Sequence, residues 1–159
     1  MEFGLDFAAI AVALGAGIRY LHTSYKDRNA VRLALIAEIT ALADLIEIRE
    51  YVKGLLEAAT AVEASGEGLT FTVVVPEGYN IVYRNHVTKL GTLKGHETMA
   101  VVRFYQLVDS AISDVSKEGA LGIGSDNPEA FREAAEVLNQ ATALARSLNV
   151  KSSWKSRVW

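Results

Sequence analysis

A long apolar stretch near the N-terminus restricts how this chain can fold. Residues 3 to 21 are apolar except for Asp6 near one end and Arg19 near the other. As an α-helix the stretch would measure about 28 Å at about 1.5 Å per residue, close to the bilayer hydrocarbon thickness of about 30 Å. It therefore predicts one transmembrane helix within residues 1–25. The alternatives are a core helix of a soluble bundle and a signal peptide, although a signal peptide should begin with basic residues rather than with Glu2.

The charges around this stretch predict its orientation. The residues that follow it are rich in Lys and Arg, whereas the residues before it carry only acidic charges. Because basic flanks stay in the cytoplasm, we expect an inner-membrane protein with its N-terminus outside and its C-terminal domain in the cytoplasm. Basic side chains and tyrosines favour the membrane–water boundary. The expected interface residues are Arg19, Tyr20, Tyr25, Lys26 and Arg28.

Small residues recur at every fourth position of the stretch, at Ala9, Ala13 and Gly17. This spacing places them on one side of a helix, where they let two helix backbones approach closely in lipid. It predicts a helix–helix contact with a second copy or with a partner protein, beside the contact with membrane lipid. The alternative is a chance spacing, because alanine and glycine are common in membrane helices.

The rest of the chain is expected to be helical. Apolar residues at three- and four-residue steps predict helices over residues 27–64, 76–90, 96–117 and from Pro128 onward. The first of these either starts at a cap, Asp27 or Asn29, or continues without a break from the membrane segment. Charged residues such as Glu38 lie opposite the apolar side of the first of these helices, and Asp126 or Asn127 caps the last. The expected fold class is all-α. A single N-terminal transmembrane helix (1–25) precedes an antiparallel helical bundle (26–150) and a tail (151–159).

One segment, Leu69–Val75, has the β-branched and partly alternating pattern of a strand. A single strand needs a partner, and the chain offers no second strand-like run. The segment therefore predicts one extended connector between helices. Pairing with another subunit is the alternative.

Three short motifs carry a resemblance to other proteins. They are Tyr83, the run Leu90-Gly91-x-Leu93 and the run Val102-Arg103-Phe104-Tyr105. The stretch from Pro76 onward resembles uncharacterised bacterial proteins with one N-terminal transmembrane helix and a helical cytoplasmic domain. The resemblance implies a membrane location. It supplies no site residue, because such proteins have no activity to carry over.

The sequence offers no recognisable catalytic or metal-binding pattern. It contains no cysteine, and its three histidines lack the spacing of metal ligands. The glycines from Gly119 to Gly124 lack the Gly-Lys-Ser/Thr ending of a phosphate-binding loop, so a linker is the simpler interpretation. A net charge of −3 argues against nucleic acid as the main partner. We therefore expect a protein that is not an enzyme and that holds no cofactor and no metal.

The last nine residues form a basic and aromatic tail. Both tryptophans of the chain lie there with three basic residues: Lys151, Trp154, Lys155, Arg157 and Trp159. Tryptophan beside Lys and Arg is typical of a segment that anchors to an anionic lipid surface. Docking on a partner protein and a disordered end are the alternatives.

These observations predict a non-enzymatic, membrane-anchored accessory or structural subunit of a membrane protein assembly. The N-terminal helix and the helical domain would serve protein–protein interaction. The alternative is a small membrane-active effector, holin-like or toxin-like, that oligomerises through its membrane segment. A folded domain of this size favours the accessory role.

Overall fold

The computed structural model describes the backbone of residues 7–155 and the side chains of residues 25–148. It confirms the all-α fold. The helices are α1 (Phe7–Ile48), α2 (Tyr51–Ser65), α3 (Ile81–His86), α4 (Gly95–Val115) and α5 (Pro128–Lys155), with a 3₁₀ helix (Val87–Thr92) between α3 and α4.

The predicted transmembrane helix is not supported by this structure. Helix α1 continues without a break past residue 25 and ends at Ile48. Across residues 7–155, no helix combines the length and the apolar character that a membrane crossing requires. Residues 3 to 6 of the predicted segment lie outside the described residues.

Three rods of helix pack around one core. The first rod is the C-terminal part of α1 followed by α2, the second is α4, and the third is α5. Arg132 near the start of α5 pairs with Glu63 near the end of α2, so these two helices are antiparallel. Arg103 in the first half of α4 donates to Gln140 of α5 at 3.4 Å, and α4 is likewise antiparallel to α5. The largest fully buried side chains are Tyr105, Phe104, Phe131, Leu35, Ile39, Leu55 and Leu121.

The prediction of one helix over residues 27–64 is wrong, because the structure divides it after Ile48. Glu50 adopts φ 52° and ψ 34°, in the left-handed region. The apolar pattern explains the break. If the helix continued regularly, the buried side that includes Ile46 would next contain positions 49, 50 and 53. Those positions hold Arg49, Glu50 and Lys53. The turn at Glu50 changes which side of the following helix faces the core, so that Leu55 and its neighbours in α2 are buried.

The extended connector is confirmed, and it pairs with this chain's own backbone. Its N–H groups donate to the loop before α5 and to the end of α4: Leu69 to Ser125 O at 3.0 Å, Phe71 to Leu121 O at 2.8 Å and Val73 to Val115 O at 3.0 Å. Leu69 and Ser125 also form an isolated antiparallel bridge. The connector therefore returns along the bundle from the end of α2 towards the start of α4.

The helix predicted from Pro76 begins later and is shorter than expected. The residues that follow Pro76 form a turn in which Gly78 has φ 77°. Helix α3 then has only six residues. The first N–H groups of a helix lack partners within it. Here Glu38 of α1 accepts hydrogen bonds from the N–H groups of Val82 and Tyr83, so a tertiary contact sets where α3 begins.

The predicted starts of the last two helices agree with the structure. Helix α4 begins at Gly95, one residue before the prediction. Helix α5 begins at Pro128, and the Asn127 side chain accepts from the N–H of Glu129 at 3.1 Å, as expected of a cap. In the loop between α4 and α5, a side chain at Gly119 would collide with the carbonyl oxygen of Ser113. This loop therefore packs closely on the end of α4.

Candidate functional site

One end of the bundle brings together the start of the packed core and parts of three helices. In α1 the side chains of Tyr25–Ala30 are exposed, and Val31 is the first buried side chain that the structure describes. Glu97 near the start of α4 contacts α1 here. Because α5 is antiparallel to α4, its C-terminal part reaches the same end, where Leu148 is the last described buried side chain. We call this region the α1 end of the bundle.

A mostly buried ion pair organises the α1 end. Arg32 Nε donates to Glu97 Oε1 at 2.8 Å, and the two side chains are 14% and 8% exposed. Glu97 Oε2 accepts from the N–H of Lys94, at 3.4 Å, as in a capping box. Burial alone would raise the pKa of the Glu97 carboxyl, but the hydrogen bond and charge of Arg32 outweigh it and lower that pKa. The carboxylate therefore stays ionised at neutral pH and fixes the orientation of the Arg32 guanidinium.

Beside this ion pair lies a small pocket between α1 and the segment that leads into α4. Its volume is about 90 Å³. Its lining is Tyr25, Arg28, Asn29, Arg32, Thr92, Leu93, Lys94 and Glu97. Three of these side chains are cationic and one is anionic, so the lining carries a positive excess. Most of the others are hydrogen-bond donors. We call it the basic pocket; its cationic side chains and hydrogen-bond donors are groups that bind small anions.

A joint between a carboxylate and two tyrosines holds α3 against α1 and α4. Glu38 Oε1 accepts from Val82 N–H at 2.8 Å, and Oε2 accepts from Tyr83 N–H at 3.0 Å and from the Tyr105 hydroxyl at 2.5 Å. The rings of Tyr83 and Tyr105 stack with centroids 3.9 Å apart. Burial, and then the bond to Glu38, raise the pKa of the Tyr105 phenol, so it remains a neutral donor. Through α3 this joint also positions the 3₁₀ helix that ends at Thr92 in the basic pocket.

Two other concavities offer fewer cationic side chains that could bind a ligand. An apolar cavity of about 90 Å³ lies under the connector, between Phe71 and Val108. An open groove runs beside α2 and α5, and both of its cations are paired, Arg146 with Glu47 at 2.6 Å and Lys53 with Glu50 at 3.2 Å. Among the side chains that the structure describes, no group of three or more His, Asp or Glu is placed to hold a metal ion.

The predicted interface residues are partly brought together by the fold. Tyr25, Lys26 and Arg28 are exposed on α1, and Tyr25 and Arg28 line the basic pocket. The backbone of Arg19 and Tyr20 is helical within α1, but their side chains lie outside those described.

The other predicted site residues fall in α1 and at the end of α5. Ala9, Ala13 and Gly17 lie in the helical backbone of α1, and Lys151, Trp154 and Lys155 lie in the last turns of α5, all without described side chains. Arg157 and Trp159 lie outside the described residues. The structure thus places the start of the predicted tail at the α1 end of the bundle.

Sequence reasoning missed the residues that build the pocket and the joint. Glu38 was expected on the solvent side of its helix, yet it is half-buried and accepts three hydrogen bonds. Lys94 and Glu97 were not identified either. A local signal existed only for Glu97, which lies three residues after the capping position of α4. The partners Arg32 and Tyr105 are remote in sequence, so no pattern within one helix reveals them.

Comparisons with protein-family models, with curated proteins and with solved structures found no match to this chain.

Proposed function

We propose that this chain is a non-enzymatic accessory or structural subunit of a membrane protein assembly. In this proposal the apolar N-terminal part of α1 anchors the chain in the inner membrane. The helical bundle lies on the cytoplasmic side, with its α1 end towards the lipid. Its exposed surface binds a protein subunit of the same membrane.

The observation that carries the proposal is the apolar sequence of the N-terminal part of α1, which precedes the exposed residues 25–30. The helix begins at Phe7, whereas the first buried side chain described is Val31. The sequence of residues 7–21 is apolar apart from Arg19 and measures about 22 Å as a helix at about 1.5 Å per residue, most of a bilayer hydrocarbon core of about 30 Å. The described side chains of residues 25–30 are exposed, so the described core of the bundle includes α1 from Val31 onward. The apolar sequence that precedes these exposed residues is the part that we assign to the membrane.

The charge distribution supports the orientation. Exposed cations lie at the α1 end, among them Lys26, Arg28 and Lys94. The opposite end, where α2 stops and α5 begins, carries mainly acidic residues: Glu63, Glu67, Asp126, Glu129 and Glu133. A basic end is attracted to the anionic cytoplasmic leaflet, and an acidic end is repelled by it.

A second surface feature supports binding to a protein. The side of α1 that faces away from the core carries one acidic residue, Asp44, and exposes apolar side chains, with Leu33 48% and Ile48 77% exposed. Ala37 and Ala41 lie between them and are exposed as well. Contiguous exposed apolar residues on one helix face are typical of protein interaction sites. The small alanines would let a partner helix approach closely.

The membrane anchor is tested by alkaline extraction of membranes from bacteria that express the full chain. We expect the wild type to stay in the membrane pellet and a C-terminal fluorescent protein to be active in the cytoplasm. The Ala11→Asp/Leu14→Arg variant should be extracted, because each charge near the centre of a membrane helix costs about 2.5–3.5 kcal/mol. The same changes at the exposed Ala61 and Leu56 of α2 are the matched control. A wild type that is fully extracted would contradict the anchor.

The accessory role is tested by co-purification in mild detergent. The Ala37→Glu/Ala41→Glu variant should lose a stoichiometric partner, whereas Ala61→Glu/Ala64→Glu, with the same charge change at exposed alanines of α2, should retain it. Equal behaviour of the two variants would contradict a docking role for α1. Collapse of the membrane potential on expression would favour a membrane-active effector instead.

A further inference from the structure

The basic pocket contains an arginine whose orientation is fixed and most of whose donors have no partner among the side chains of residues 25–148. A guanidinium has five N–H donors. Within the described part of the chain, Arg32 uses only Nε, towards Glu97 at 2.8 Å. The two terminal amino groups therefore remain available at the pocket that Arg32 lines. A guanidinium held in this way loses little freedom on binding and matches the oxygens of a phosphate group.

The remaining lining adds charge and donors around this arginine. Arg28 and Lys94 contribute two further cations from opposite walls, one on α1 and one before α4. Glu97 offsets one of the three positive charges and is already engaged by Arg32. Asn29 and Thr92 supply neutral donors. With a volume of about 90 Å³, the pocket has room for one small anion group rather than for a large ligand.

We propose that the basic pocket binds the phosphate group of an anionic ligand, held by the free amino groups of Arg32 together with Arg28 and Lys94. The phosphate can belong to a lipid headgroup or to a soluble phosphate compound. The lipid source rests on the proposed function, because the anchored helix would bring the pocket to the headgroup layer. The soluble source is independent of it.

The test uses the full chain in maltoside detergent, which carries no phosphate, and follows the Arg32 Nε–H signal by NMR. Inorganic phosphate and short-chain phosphatidylglycerol are the two probes, and laurate is the anionic probe without phosphate. We expect a saturable shift with at least one phosphate probe and none with laurate. Saturation with phosphatidylglycerol alone indicates a lipid headgroup, and saturation with inorganic phosphate indicates a soluble ligand. No saturable shift, or an equal response to laurate, would overturn the proposal.

Variants distinguish phosphate binding in a defined pocket from general attraction of an anion to a positively charged surface. Arg28→Gln/Lys94→Gln should weaken binding about 25-fold, because each basic residue near an anionic group contributes about fivefold. Arg49→Gln/Lys117→Gln removes the same charge from exposed positions away from the pocket and should leave binding unchanged. Arg32→Lys keeps the charge but lacks the forked geometry, and it should also weaken binding. Because this variant lacks the Nε–H reporter, its binding is measured by isothermal titration calorimetry beside the wild type. Equal weakening of phosphate binding by both double variants would overturn the proposal of a specific site.

Two separate assays on the full chain distinguish this inference from the membrane anchor. Alkaline extraction reports the anchor and needs no phosphate binding. A chain that resists extraction but gives no saturable shift would refute the pocket alone. A chain that is extracted but binds inorganic phosphate would refute the anchor alone.

Discussion

Replacement of Glu38 tests whether a single carboxylate holds α3 in place. In the structure Glu38 accepts hydrogen bonds from Val82 N–H at 2.8 Å, from Tyr83 N–H at 3.0 Å and from the Tyr105 hydroxyl at 2.5 Å. The Glu38→Ala variant removes all three bonds. It leaves two N–H groups at the start of α3 and one buried phenol without their acceptor.

The size of the effect follows from these bonds. A hydrogen bond to a charged group contributes about 1.5–3 kcal/mol, and an unsatisfied buried group costs a similar amount. Because Glu38 is half-buried, water will replace part of what is lost, and the three contributions are not additive. We expect a loss of about 3 kcal/mol in the free energy of unfolding. For a chain of this size that lowers Tm by roughly 6–12 °C.

Chemical denaturation of the full chain in detergent, followed by circular dichroism, measures this loss. Asp44→Ala on the exposed side of the same helix is the control, and its effect should stay within about 0.5 kcal/mol. Amide hydrogen exchange should accelerate at Val82 and Tyr83 in the Glu38 variant. A loss no larger than that of the control, or unchanged exchange at these two amides, would refute the reasoning. A cycle with Tyr105→Phe should show coupling of about 1–2 kcal/mol between the two side chains.

Three further predictions concern single positions. The pKa of Glu97 lies below its ordinary value of 4.5, so its pair with Arg32 stabilises the fold above that pH and loses this effect as pH falls. Glu97→Gln should therefore show a smaller loss of stability between neutral and acidic pH than the wild type in denaturation curves. Glu50→Gly should raise the free energy of unfolding by about 0.5–1 kcal/mol, because Glu50 has φ 52° and glycine adopts that conformation without strain. A lower midpoint of denaturation would contradict this. Gly54→Ala should give little of the helix-propensity gain of about 1 kcal/mol. The new Cβ would lie 3.1 Å from the ring of Phe71, and the gain should appear once Phe71 is also replaced by Ala.

The helical fold class and the later helix starts were predictable because their signals are local. Pro128 after Asn127 marks a helix start in any context, since the fixed φ of proline and the side-chain cap act within one turn. The connector was also predictable, because β-branched residues without a second strand leave an extended segment. These features depend on residues a few positions apart.

The break after Ile48 could have been predicted from where the apolar residues fall around the helix axis. The apolar stripe of α1 does not continue at Arg49, Glu50 or Lys53, so a single straight helix could not keep both halves in the core. The signal was present in the sequence. It was missed because the strong helix propensity of these residues favours a continuous helix.

Tertiary structure alone decided the site. Glu38 and Val82 are 44 residues apart, and Arg32 and Glu97 are 65 apart. No spacing rule joins such partners, because their contact depends on how the connector returns along the bundle and how α1 packs on α4. The sequence determined that the chain is helical around one extended connector and where α4 and α5 begin, since these depend on local side chains and backbone conformation. Only packing determined that α3 begins at a carboxylate of α1 and that Arg28, Arg32 and Lys94 line one pocket.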